Sequence, residues 1–312
     1  MDDVDEQYDE QYDEQYEQYR PLMFSIAYRM LGSASDAEDV VQDAFLRFHR
    51  VAEQQRIDNP KAYLAQITTR LGIDHLRSAR VRRESYTGTW LPEPLLTEQA
   101  PDVADYAEAA DSLSMAFLVL LERLSPVERA VFLLHDVFDY SYGEVAELTG
   151  KSEDNTRQLA VRARRHIAEA KPRFEADRKR RDELADRFFA AVTAGDVEGL
   201  ERLLADDVVM YGDGGGKAPA APRPVYGARR VAGFLRNIAR QAQEVGIQLH
   251  AATVNGEPGA VARDPDGRVV GVLSLHIADG AVQSVLAVVN PDKLGHLGPV
   301  GDMNALLRSL RG

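Results

Sequence analysis

Apolar residues recur three and four apart along the first half of the chain, which is the period of a helix with one buried face. Val41, Phe45 and Phe48 form one such stripe, Leu64, Ile67 and Leu71 a second, and Leu113, Phe117, Leu120, Leu121 and Leu124 a third. Punctuation agrees with the stripes. Ser35-Asp-Ala-Glu38 reads as a capping box, in which hydroxyl and carboxylate satisfy free N–H groups at a helix start. Asn59 reads as a cap with Pro60 in the first turn, and "SPVE" (125–128) and "SYGE" (141–144) read as two more boxes.

The sharpest pattern lies in 141–170. Gly150 ends one short helix, a three-residue turn follows, and Ser152 is placed to cap the next. At 100° per residue, Thr156, Leu159, Ala160, Ala163 and Ile167 share one side of that second helix. Asp154, Arg157, Gln158, Val161, Arg162 and Arg165 take the other, with Asn155 beside them. A packed face backed by a cationic face with hydrogen-bonding and methyl-bearing side chains, in helix–turn–helix spacing, predicts insertion into a DNA major groove.

After a basic run "RKRR" (178–181) the period changes. A helix with Phe188, Phe189 and Val192, and another near 229–243, precede the alternating runs "VVGVLSLHI" and "AVQSVLAVV", which meet at Asp279-Gly280 as a hairpin. Helices first and antiparallel strands later predict an α+β domain. Between the helical parts, 84–110 holds the only tryptophan, with prolines and acids, and reads as a linker. The opening "DEQYDEQYDEQYEQY" is a low-complexity repeat that a helix would align along one face through Tyr8, Tyr12, Tyr16 and Tyr19; a disordered tail and a helical extension both remain open, and no function attaches to it.

Charge changes the picture. The chain of 312 residues carries a net −13, which alone argues against a nucleic-acid partner. The charge is segregated, however. Residues 2–17 hold nine acids and no base and residues 84–111 seven acids and no base, whereas 70–83 hold five arginines against Asp74 and 157–181 ten bases against three acids. Two basic patches in an acidic chain predict DNA contact at two places, with a partner helping to hold the protein there. The chain has no cysteine, so thiolate chemistry and cysteine zinc sites are excluded, and no apolar run approaches the ~20 residues that span a bilayer. The acidic N-terminus is the reverse of a secretion signal, so a soluble cytoplasmic protein is expected.

One stretch invites a different reading. "YGDGGGKAPA" (211–220) offers glycines and a lysine, as a phosphate loop does, but the hydroxyl position is Ala218 and prolines stand where a helix should run. It is not a P-loop.

These strings resemble a bacterial sigma factor of the extracytoplasmic-function type with a SnoaL-like C-terminal extension, over about residues 18–294. "SASDAEDVVQDAFLRF" is similar to the helix that docks on the polymerase clamp, which implies core-polymerase contacts for Asp36, Glu38, Asp39, Gln42 and Asp43. "NPKAYLAQITTRLGIDHLRSARVRR" is similar to the part that melts and reads the −10 element, with Asp74, His75, Arg77, Arg80 and Arg82 as candidates. "LSPVERAVFLLHDVFDYSYGEVAELTGKSEDNTRQLAVRARRHI" is similar to the −35-reading helix-turn-helix. "WLPEPL" (90–95), "DGGGK" (213–217) and "NPDKL" (290–294) resemble the marks of one subgroup, and imply regulatory roles for Trp90, Pro92, Asp213, Gly214, Gly215, Gly216, Lys217, Asn290, Pro291, Asp292, Lys293 and Leu294.

The resemblance implies a multidomain fold of two all-α sigma domains, a region-two bundle (18–88) and a region-four helix-turn-helix (111–173). An α+β SnoaL-like cone (182–294) follows. Around these lie the acidic tail (1–17), the linker (89–110), the basic hinge (174–181) and a C-terminal tail (295–312) with Leu306, Leu307 and Leu310 on an amphipathic segment. Implied partners are core RNA polymerase and promoter DNA, with contact between the extension and the sigma regions, room for a small ligand in the SnoaL-like pocket, no cofactor and no membrane. Lys217 is expected to offer its cation to an acidic surface, either 36–43 or 84–111. Asp213, His250 and His276 are the candidates for pocket chemistry, but their spacing singles out no acid–base pair. The competing reading is a SnoaL-like cyclase, isomerase or hydrolase, or a ligand-responsive regulator, fused to a DNA-binding module.

Overall fold

The computed structural model of the chain describes residues 2–97, 110–168 and 177–308, with the side chains of 2–13, 80–84 and 110–111 outside the description. Two compact units emerge. One comprises Met1–Arg82, Ala100–Ser112 and Leu120–Ala170, the other Arg83–Gln99, Leu113–Val119 and Lys171–Gly312.

The first unit begins with α1 (Asp2–Leu31), so the acidic repeat is the front of one continuous helix rather than a separate tail. Tyr16 of that repeat meets Phe45 edge-to-face at 4.8 Å, which anchors the extension to α2 (Ala34–Ala52). The start of α2 corrects the expectation at Ser35. Gly32, at φ 66°, ends α1, and Ser33 becomes the cap, accepting from the Asp36 N–H at 3.1 Å. Glu38 turns instead to Arg20 at 2.5 Å. Helix α3 (Pro60–Glu84) starts as expected, with Asn59 Oδ1 accepting from the Ala62 N–H at 3.0 Å.

The expected helix over 113–124 is broken, with a 3-10 turn at Ala110–Leu113 and then α4 (Met115–Leu121). Both later capping boxes form, before α5 (Pro126–Phe132) and α6 (Tyr142–Thr149). A π-turn, Leu133–Val137, sits between them. Gly150 adopts φ 66°, Ser152 caps α7 (Glu153–Ala168), and Thr156, Leu159, Ala160, Ala163 and Ile167 are its buried face.

Arg129 ties this unit together. It is 2% exposed; its Nη1 donates to the Met30 carbonyl at the end of α1 (2.5 Å), its Nε to the Leu121 carbonyl (3.0 Å), and its Nη2 to Glu122 (2.6 Å). Arg29, one residue before Met30, is buried as well, with Nε donating to Ser112 Oγ at 3.1 Å and its guanidinium over the Phe138 ring at 5.6 Å. Burial pulls its pKa down to about 10, so it stays cationic at neutral pH.

The second unit contains α8 (Arg178–Ala194) and α9 (Val197–Leu203), then β1 (Leu204–Asp213), β2 (Val225–Tyr226), α10 (Ala228–Glu244), β3 (Gln248–Val254), β4 (Glu257–Arg263), β5 (Val269–Ala278), β6 (Ala281–Val288) and α11 (Met303–Arg308). The six strands form one sheet in the order β2-β1-β6-β5-β4-β3. Hairpin β5–β6 closes through Asp279 and Gly280, both at positive φ, the conformation that a two-residue turn demands.

One sheet face packs on the helices through Phe188, Leu200, Val231, Leu235, Leu275 and Val285. The other face is covered by the chain's own linker. Leu91, Leu96 and Met115 join Val261, Val272, Leu286 and Leu294 in a second core. Residues 91–96, read as a connector from composition, are therefore buried structure. The physical reason is their content: leucines and prolines among the acids give the linker an apolar side that a sheet face can take up.

Candidate nucleic-acid interface and linker clasp

The α7 surface is built as its sequence requires. Asp154, Asn155, Arg157, Gln158, Val161, Arg162 and Arg165 are all exposed, and Val161, at 63%, is an apolar side chain left facing water. Arg157 lies over the Tyr142 ring at 4.7 Å and bonds Glu153 one turn earlier. Arg162 leans towards Glu128 (3.7 Å), and Arg164 pairs with Asp136 (2.7 Å), which fixes α7 against the preceding elements.

On α3, Asp74 and Arg77 are exposed and paired with each other at 2.9 Å. His75 is half-buried, with Nε2 at 3.1 Å from Asp36 Oδ2, so a −10 candidate and a polymerase-docking candidate meet. The side chains of Arg80 and Arg82 lie outside the described residues. On α2, Asp39, Gln42 and Asp43 are exposed beside Leu46, which is 52% exposed. Glu38 differs: burial pushes its carboxyl up, while the Arg20 guanidinium pulls it down.

The strings "WLPEPL", "DGGGK" and "NPDKL" converge in the second unit. Strands β1 and β6 run parallel with Asp213 opposite Val288, so "DGGGK", which follows β1, and "NPDKL", which follows β6, leave the sheet at the same end. The Val289 and Asn290 N–H groups donate to the Asp213 carbonyl at 2.8 and 3.0 Å. The Asp213 carboxylate is fully buried and accepts four bonds: Tyr86 Oη at 2.5 Å and the Gly215 N–H at 3.1 Å on Oδ1, the Leu91 N–H at 2.8 Å and Lys293 Nζ at 2.7 Å on Oδ2. Lys293 Nζ also donates to the Leu91 carbonyl and stands 4.3 Å from the Trp90 ring centroid and 5.0 Å from that of Tyr86. A buried ammonium is thus matched by a carboxylate, a carbonyl and two aromatic faces. Asn290 Nδ2 donates to Tyr86 Oη at 2.9 Å. Burial, then the hydrogen bond to Asp213, drives the Tyr86 phenol well above its ordinary pKa, so it acts as a donor.

The glycines allow this approach. Gly215 has φ 57°, and a Cβ there would collide with the Asn290 side-chain amide. Lys217 bonds Asp292 at 2.6 Å, a residue of "NPDKL", which corrects the expectation that it faces 36–43 or 84–111. Among the terminal residues, Asn304 Nδ2 donates to the Lys217 carbonyl at 2.5 Å; Leu306 and Leu307 are half-buried on α11, and Leu310 lies outside the described residues.

At the other end of the sheet face, Asn255 grips the linker again. It occupies the β3–β4 turn at φ 54°, fully buried, with Oδ1 accepting from the Leu95 N–H (2.8 Å) and Nδ2 donating to the Leu113 carbonyl (3.0 Å). His296 Nε2 lies 2.7 Å from the Pro94 carbonyl. Sequence reasoning missed Tyr86, Asn255 and His296. Asn255-Gly256 does carry a legible hairpin signal, but nothing in it says that the turn's side chain holds a segment 160 residues away.

A groove of about 210 Å³ lies between α8 and the β3–β4 hairpin, lined by Arg181, Asp182, Asp186, Phe189, Ala252 and Gly259 among others. The three candidates for pocket chemistry do not share it. Asp213 is committed to the linker, His250 is exposed on edge strand β3, and His276 is buried in β5, where it alternates with the helix-facing Leu275 and Ile277.

Comparison with known proteins agrees with this anatomy. Residues 15–82 match the Sigma-70 region 2 family, 114–167 the Sigma-70 region 4 family, and 185–289 the SnoaL-like domain family. The chain is 40% identical over 286 residues to the ECF RNA polymerase sigma factor SigJ of Mycobacterium tuberculosis (88% of this chain, 90% of the relative). It is 33% identical over 282 residues to the probable ECF sigma factor SigI of the same species (89% and 93%). The crystal structure of M. tuberculosis SigJ superposes with a TM-score of 0.73 at 36% identity, covering 90% of this chain and 98% of that one. A cationic recognition helix behind a capped turn, a carboxylate-bearing helix ahead of it and a linker clasped by a SnoaL-like sheet thus lead to one assignment: the chain belongs to the extracytoplasmic-function RNA polymerase sigma factors that carry a C-terminal SnoaL-like domain.

Proposed function

We propose that the SnoaL-like domain regulates this sigma factor in cis by sequestering the linker between regions two and four. The single observation that carries this reading is the clasp: Asp213 bonds Tyr86, Leu91, Gly215 and Lys293 at once. The protein binds core polymerase and promoter DNA as sigma factors do. Asp39, Gln42 and Asp43 carry the clamp contact with Asp36 and Glu38 in support. Asp74, His75, Arg77, Arg80 and Arg82 serve the −10 element. The exposed set on α7 contacts the −35 element. An acidic linker suits the cationic interior of polymerase, so core enzyme and the sheet face compete for it. The domain acts without catalysis, the groove beside α8 has room for a small modulator, and the site of action is the cytoplasm.

Run-off transcription with reconstituted holoenzyme tests the proposal. Lys293→Met loosens the clasp and is expected to raise transcript yield at equal occupancy of core. Trp90, the single tryptophan, reports linker release directly as a red shift of its emission. A red-shifted variant with unchanged yield sinks the regulatory reading and leaves the sigma function intact.

A further inference from the structure

Tyr142 stands at the first position of α6, where the Ser141 capping box fixes the backbone. Its ring stacks on His135 with centroids 3.9 Å apart and planes 29° from parallel. His135 is itself held, with Nδ1 at 2.7 Å from the Tyr140 carbonyl. The Arg157 guanidinium lies over the same phenol ring, with Cζ 4.7 Å from its centroid. A hydrogen bond to Glu153 fixes the arginine from the side, yet its side chain remains 54% exposed. The Tyr142 ring thus contacts both the imidazole of the π-turn and the guanidinium of the recognition helix.

We infer that Tyr142 is a positioning residue that holds the Arg157 guanidinium for planar, two-bond recognition of a guanine in the −35 element. An unheld arginine suits phosphate, a target that accepts many orientations, and loses rotamer freedom on binding. An arginine already stacked and paired presents its free edge in one plane, which is what guanine O6 and N7 require. Tyr142 lies in the helix before the recognition helix; it also meets Arg164 of α7, which is turned to Asp136, and bears on base choice through Arg157. The inference rests on α7 being the −35 reader.

The test uses holoenzyme assembled from the full chain and core polymerase, transcribing templates randomised over the −35 element. Arg157→Gln is expected to abolish preference at one G·C pair. Tyr142→Leu is expected to weaken preference at that same pair about two- to fivefold, the size of an exposed cation–π contact. Tyr142→Phe gives up the hydroxyl's contact with Arg164 but keeps the aromatic face, and keeps the preference. Tyr142→Leu combined with Arg157→Gln adds no further loss at that pair. If Arg157→Gln removes the preference while Tyr142→Leu leaves every position unchanged, or lowers all templates evenly, Tyr142 is structural only and the inference fails. If Arg157→Gln leaves all −35 preferences intact, the assignment of Arg157 as a base reader fails first and takes the inference with it.

Discussion

Lys293 Nζ lies 2.7 Å from Asp213 Oδ2, and both side chains are almost wholly withdrawn from water. Removing one partner of such a pair strands the other, which costs about 3–5 kcal/mol, whereas replacing both with neutral groups restores much of the loss. Lys293→Met is therefore expected to lower the melting midpoint of the C-terminal unit clearly, and Lys293→Met with Asp213→Asn to recover part of it. Differential scanning calorimetry of the two variants beside the parent chain checks the order.

Tyr86 gives a pH signature. Its folded pKa is raised above the unfolded value of 10, by burial first and by the bond to Asp213 second. Between those two values the folded state holds a proton that the unfolded state has released, so stability falls as pH rises. The contribution is complete below pH ~10 and is lost above it. Denaturant titrations at pH 8 and at alkaline pH are expected to show a loss in the parent chain that is reduced in Tyr86→Phe.

Arg129 supplies three donors from one planar fork, to Met30, Leu121 and Glu122. A lysine cannot reproduce that fork, and a methionine leaves buried acceptors unmatched. Both Arg129→Lys and Arg129→Met are expected to destabilise the first unit, the second by about 3–5 kcal/mol. Urea unfolding followed by far-ultraviolet circular dichroism measures both.

Position along α7 separates two kinds of contact. Residues near the start of a recognition helix reach base edges, and those further along meet the backbone. Gln158 lies in the first half of α7, whereas Arg165 sits in its last turn. Arg165→Ala is expected to weaken all promoter sequences alike and to reduce the salt slope by about one, while Gln158→Ala relaxes discrimination at one base pair by about 1–3 kcal/mol. Fluorescence anisotropy over a salt series distinguishes them.

The helix-turn-helix is the most legible part of the sequence because its signals are local. Capping residues, the left-handed Gly150 and a buried stripe of Thr156, Leu159, Ala160, Ala163 and Ile167 all lie within one short segment and agree with each other. The clasp is legible only as three strings. Their meeting depends on β1 and β6 lying parallel and on a linker crossing the sheet face, and neither follows from any window of sequence. Lys217 misleads for the same reason: acid-rich runs look like its natural partners, whereas the carboxylate it meets belongs to a single aspartate 75 residues on. At Ser35 the difference is one of competition, since Ser33 stands closer to the left-handed Gly32 and takes the cap.

The bond from Arg129 to the last turn of α1 has a mechanical corollary. It fastens region four to region two inside one compact body, and a globule of about 150 residues has a radius of gyration near ~15 Å. Any motion that parts the two regions has to break this bond first, and with it goes the anchor that the same guanidinium gives to the end of α4 through Leu121. Arg129 is the button that closes the first unit.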